Sequence, residues 1–159
     1  MEEQGTLAPA IFVMGMGFLI HTIAMATPYW VQMGMANAGL WASCVLETCV
    51  AYVEKPDWMM ACEAFSVVGT IFGAGALAFT TVNFCNDCFR RPQNARLAGF
   101  LLGSSILAFA CIMTCIGIFA GYANYGSSLS FSFYMSSCGG VLMVMGGIMG
   151  YVIVRRCGY

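Results

Sequence analysis

Long apolar runs separated by short polar interruptions organise this chain. Four runs stand out, at roughly residues 8–27, 62–84, 97–121 and 131–154. Each holds about 20 residues or more, which at a helical rise of about 1.5 Å per residue reaches across a hydrocarbon core of about 30 Å. Four strands cannot close a barrel, and each unpaired backbone group in lipid costs several kcal/mol, so the runs are predicted to be helices. The expected architecture is an all-α transmembrane four-helix bundle forming one domain over residues 1–159, with connecting segments at 28–61, 85–96 and 122–130.

Composition supports lipid as the solvent. Of 159 residues, 60% are hydrophobic and 8% charged, and the mean hydropathy is +0.82. A soluble domain carries about 25% charged residues. Seven acids against six bases give a net charge of −1, which excludes a nucleic-acid binder with its strong basic excess. One histidine and seven carboxylates are a poor supply of general acids and bases. No P-loop, Rossmann fingerprint, H-E-x-x-H or G-x-S-x-G pattern occurs, so a non-enzyme without cofactor or metal is expected.

Basic residues set the predicted orientation. Arg90, Arg91 and Arg96 lie between the second and third runs, and Arg155 and Arg156 close the fourth. By the positive-inside rule both places are cytoplasmic, as are both termini, and 28–61 and 122–130 are extracellular. A multi-pass plasma-membrane protein follows. The outer side carries one base, Lys55, against Glu47, Glu54, Asp57 and Glu63. Ala24-Met25-Ala26 imitates a signal-peptidase site, but Glu2 and Glu3 replace a basic leader and the apolar run is too long, so the first run is expected to be retained.

The first outer segment holds the most specific pattern: Pro28, Trp30, Gly39-Leu40-Trp41, Cys44, Cys49, Pro56 and Trp58. This array, after the first of four spans, resembles the first extracellular segment of the claudin superfamily. That superfamily includes claudins, peripheral myelin and epithelial membrane proteins, and calcium-channel gamma subunits. Trp30 and Trp41 stand closer together than in claudins proper, as in the myelin branch. A weaker similarity lies at Tyr125-Gly126 and Ser130-Phe131-Ser132-Phe133-Tyr134, where the fourth span begins. The resemblance implies a claudin-like fold, with a small extracellular β-sheet between spans one and two and the two tryptophans packed at its base. Tryptophan is also enriched at membrane interfaces without any such fold.

Cys44 and Cys49 lie on the oxidising side, and Val45-Leu46-Glu47-Thr48 between them fits a tight hairpin with Leu46-Glu47 at the tip. Opposed residues in such a hairpin are within disulfide reach. The alternatives are two free thiols, or a bridge that draws in Cys62.

Other features read more simply. Gly69–Gly73, Gly99–Gly103, Gly117–Gly121 and Gly146–Gly150 are G-x-x-x-G patterns, expected mainly to pack the four helices on one another. The thirteen methionines read as lipid-facing or gap-filling side chains. His21, deep in the first run, reads as a neutral ring bonded to a neighbouring hydroxyl or carbonyl. Glu63 is placed at the outer end of the second span, reaching water or complementing the helix N-terminus. Cys85-Asn-Asp-Cys88 lacks the second pair that zinc needs. Cys85, Cys88 and Cys157 flank spans beside arginines and are candidate palmitoylation sites, with unmodified thiols as the alternative. Cys111, Cys115 and Cys138 read as small apolar packers.

Two functions are compatible with this pattern. A claudin-like protein would associate through its outer segment with itself or with other claudin-like proteins at cell–cell junctions. Glu47, Glu54 and Asp57 would then favour cations in the paracellular space. Alternatively, an accessory subunit would pack spans three and four against a larger channel or receptor subunit.

Overall fold

The computed structural model describes residues 7–46, 48–88, 95–122 and 128–157. Helices α1 (Ala8–Ala26), α2 (Asp57–Cys88), α3 (Ala95–Tyr122) and α4 (Phe131–Cys157) are each long and apolar enough to cross a membrane, which makes the chain a multi-pass membrane protein. Five short strands complete the fold: β1 (Val31–Met33), β2 (Ala36–Ala38), β3 (Ala42–Val45) and β4 (Thr48–Ala51) between α1 and α2, and β5 (Ser128–Leu129) before α4.

Prolines mark three of the helix boundaries. Pro9 occupies the first turn of α1, where a missing N–H costs no intrahelical bond. The residue before a proline is driven out of the helical region, and Thr27, before Pro28, is extended at φ −89°, ψ 149°. The Pro56 carbonyl accepts from Met59 N at 2.9 Å and opens α2, with Asp57 in its first turn. Hydropathy places the start of this span at residue 62, because it registers the apolar stretch and not the turn that nucleates the helix. At the other end α2 runs on through Cys85 and Cys88, which the sequence pattern assigns to the loop 85–96. Its 32 residues measure about 48 Å, more than a hydrocarbon core of about 30 Å, so α2 projects beyond the lipid or crosses it tilted.

Within the bundle α1 packs chiefly on α4 and α2 on α3, while α3 and α4 join the two pairs. The α1–α4 contact is backbone to backbone. A Cβ added to Gly17 would lie 2.7 Å from the Gly139 carbonyl oxygen, and one added to Gly139 would lie 2.8 Å from His21 N. Such proximity gains dispersion where lipid removes the hydrophobic drive. Hydroxyls inside the bundle are largely satisfied locally: Thr80 donates to the Ala76 carbonyl and Ser105 to the Leu101 carbonyl, both at 2.8 Å. His21 Nδ1 lies 2.9 Å from Ser136 Oγ, which ties α1 to α4.

The glycine patterns divide. Gly69, Gly73, Gly146 and Gly150 face neighbouring helices, whereas an added Cβ on Gly99, Gly103, Gly117 or Gly121 meets nothing within 4 Å. The α3 patterns therefore do not pack the bundle, contrary to the expectation for most of these motifs. A small residue permits close approach but does not choose the partner.

All strand pairs are antiparallel, in the order β4-β3-β2-β1-β5. The sheet thus takes its last strand from the segment between α3 and α4, with Val31 opposite Leu129, and is not confined to the segment between the first two spans. A two-residue strand leaves no periodicity to read. Between sheet and bundle lies an apolar layer of Trp30, Val31, Leu40, Phe119 and Phe133, with Cys62 and Cys115 in it.

Candidate functional site

The Trp30, Gly39, Leu40, Trp41 set forms the seat of the sheet on α1. The last carbonyls of a helix have no intrahelical donor. Here the two indoles supply donors: Trp30 Nε1 donates to the Ala24 carbonyl at 2.8 Å and Trp41 Nε1 to the Met25 carbonyl at 2.9 Å. Gly39 lets the chain cross over the helix end, since a Cβ there would sit 2.6 Å from both Pro28 Cα and the Thr27 carbonyl oxygen. Leu40 is fully buried beside Trp30. Trp30 packs on Phe119 and Phe133, with ring centroids at 5.1 and 6.1 Å, and Trp58 stacks on Tyr122 at 5.5 Å. Trp30 and Trp41 are thus packed anchors, each fixed by a specific bond.

Lys55 reinforces the seat. Its ammonium pairs with Glu63 and lies 5.3 Å from the centre of the Trp41 ring and 6.0 Å from that of Tyr52. Glu63 therefore neither reaches free into water nor serves the helix terminus, because α2 begins six positions earlier. Tyr52 donates its hydroxyl to the Gly39 carbonyl at 3.2 Å. Burial, and then the Glu63 carboxylate, raise the Tyr52 phenol above its ordinary 10.0.

Away from the bundle the sheet ends in two adjacent loops. Gly34 opens the β1–β2 loop with φ 59°, and Leu46 opens the β3–β4 loop with φ 57°. Leu46 N donates to the Met35 carbonyl at 3.2 Å, which holds the loops side by side. The described apolar side chains at this end are exposed: Met33 and Val45 at the ends of β1 and β3, and Met35 at 77% and Leu46 at 72% in the loops. Every residue of the edge strand β4 is exposed, and Val53 just beyond it is 95% exposed. Cys44 and Cys49 face each other across β3 and β4, Cα atoms 4.0 Å apart, and are bonded. The bridge borders a notch of about 220 Å³ shared with Thr27, Pro28 and Trp41.

Other predicted residues disperse. Glu54 and Asp57 are exposed in the link from β4 into α2, and Glu47 lies outside the described residues. Cys85 is exposed on the last turns of α2, while the side chains of Cys88 and Cys157 lie outside the described set, as do Arg90, Arg91 and Tyr125-Gly126. Of the three cysteines read as packers, Cys115 is buried, Cys111 is half-buried and Cys138 is exposed on the outer face of α4. Among the described residues no group of three or more His, Cys, Asp or Glu side chains comes together as a metal site. The sequence pattern does not reveal the apolar loops, because Met33 and Val45 resemble core residues until the register turns them outward. Nor does it show Tyr52 and Lys55 as part of the seat.

One face of α3 is also open. Gly99, Gly103, Gly117 and Gly121 lie on it together, since 18 residues make five turns and four residues make little more than one. Between this face and α2 runs an apolar groove of about 420 Å³ lined by Phe72, Gly75, Phe79, Gly99, Phe100 and Gly103. In comparison with known proteins, the chain matches no family model and no curated protein.

Proposed function

We propose that this is a claudin-like, non-enzymatic membrane protein whose sheet faces outward from the plasma membrane and makes contacts between copies on the same or facing cells. The observation that carries this reading is the apolar tip. Met33, Met35, Val45 and Leu46 form an exposed patch at the end of the sheet opposite the Gly39-Leu40-Trp41 seat, next to the edge strand β4. Contiguous exposed apolar surface rimmed by polar residues marks an interaction site, and an open strand edge offers backbone hydrogen bonds to a second strand. The tryptophan seat holds this tip rigidly on α1, so little ordering is required on contact. Lys55 is matched by Glu63, which leaves Glu54, Asp57 and Glu47 as the acidic excess that would favour cations in a narrowed space.

The experiment is a cell-aggregation assay with Met35→Ser/Leu46→Ser. Both side chains are exposed, so the fold is expected to persist while aggregation falls to the level of untransfected cells. Undiminished aggregation at equal surface expression would defeat the contact reading. Neutralising Glu47, Glu54 and Asp57 in an epithelial monolayer tests the cation preference separately, and unchanged charge selectivity would remove it.

A second reading, an accessory subunit that packs against a channel or receptor, is favoured by the open glycine face of α3. Close helix approach is available there and is not used inside the bundle. Purification in mild detergent distinguishes the two: a larger stoichiometric partner supports the subunit, and homo-oligomers alone count against it. Cys85, Cys88 and Cys157 remain proposed acylation sites at the inner face, checked by hydroxylamine-sensitive labelling.

A further inference from the structure

Cys62 and Cys115 occupy the apolar layer between sheet and bundle, fully buried or nearly so, and come from the adjacent helices α2 and α3. The Cys62 thiol donates to the Cys115 carbonyl at 3.6 Å, and both cysteines are free thiols in the structure. Cys62 therefore does not compete for Cys44 or Cys49, which are already paired. Both thiols lie at the sheet end of their helices, Cys62 five residues into α2 and Cys115 seven residues before the end of α3.

We propose that Cys62 and Cys115 form a second disulfide that joins α2 to α3 beneath the aromatic layer. The inference rests on the outward-facing reading of the sheet, which places this layer on the oxidising side during folding. The chemistry is thiol–disulfide exchange with a disulfide-bearing oxidoreductase of the secretory compartment. One thiolate attacks the oxidant's disulfide and forms a mixed disulfide; the second thiolate displaces the oxidant. The pair loses two electrons and two protons, and the oxidant leaves as a dithiol. Exchange takes place before Trp30, Phe119 and Phe133 close over the site, and burial afterwards keeps reductants away.

The test is a cysteine map of the full-length chain expressed in animal cells. Free thiols are blocked with N-ethylmaleimide on intact cells before lysis and again after denaturation, and peptides are then analysed without reduction. The expected result is two linked pairs, Cys44–Cys49 and Cys62–Cys115, with Cys62→Ser converting Cys115 from protected to alkylated. A linked Cys44–Cys49 beside alkylated Cys62 and Cys115 would overturn the second bridge alone, as would Cys62 linked elsewhere. Both pairs alkylated would overturn it together with the outward-facing reading, so the two failures are distinguishable.

Discussion

Gly39→Ala tests whether the seat is built by close approach of the chain to the end of α1. The added methyl would stand 2.6 Å from Pro28 Cα and 2.6 Å from the Thr27 carbonyl oxygen, and 3.2 Å from Pro28 C. All three atoms are backbone, and two belong to a proline that cannot rotate away. Overpacking of this kind costs about 1–3 kcal/mol. Against it, replacing glycine by alanine restricts the unfolded chain and returns about 0.4–1 kcal/mol. The clash is the larger effect, so the net loss is on the order of 1–2 kcal/mol, or roughly 2–8 °C in melting temperature for a chain of this size. Thermal unfolding of the detergent-solubilised protein, followed through the fluorescence of the fully buried Trp30, measures it. Gly99→Ala is the control: its methyl meets nothing within 4 Å, and a mid-helix alanine gains about 0.5–1 kcal/mol over glycine. Equal melting temperatures for Gly39→Ala and the parent protein would refute the close-approach account, and a lower one for Gly99→Ala would show that the α3 face is occupied.

Trp41→Phe keeps an aromatic ring near Lys55 but removes the donor to the Met25 carbonyl, and is expected to cost about 1 kcal/mol in the same thermal assay. Because the Tyr52 phenol is raised in the folded state, its contribution is complete below its ordinary 10.0 and is lost as pH rises through the folded value. Stability should therefore decline above pH 10.0 more steeply in the parent protein than in Tyr52→Phe, as read by melting temperature against pH; parallel curves would count against the assignment. Cys44→Ser/Cys49→Ser opens only a short loop, so the loss should sit at the low end of about 2–4 kcal/mol, with the larger effect expected on recognition of the tip by conformation-sensitive antibodies.

The apolar runs alone determined that four helices cross a membrane, because each residue facing lipid must be apolar and the required length is set by the bilayer. The spacing of Cys44 and Cys49 likewise determined a two-residue hairpin, a local matter of chain geometry that the pairing of Val45 with Thr48 bears out. The Trp30, Gly39, Trp41 pattern marked the seat, but only the tertiary structure revealed that the indoles bond the free carbonyls at the end of α1, and that Gly39 is required by a backbone crossing. Helix ends escaped hydropathy at Asp57 and Cys88, where backbone bonding continues a helix past its apolar stretch. The division of the glycines, the fifth strand at Ser128–Leu129, the Lys55–Glu63 pair and the meeting of Cys62 with Cys115 were all decided by which helices neighbour which. Apolar patterning cannot encode that choice in a membrane, because a helix face turned to lipid and one turned to another helix are equally greasy.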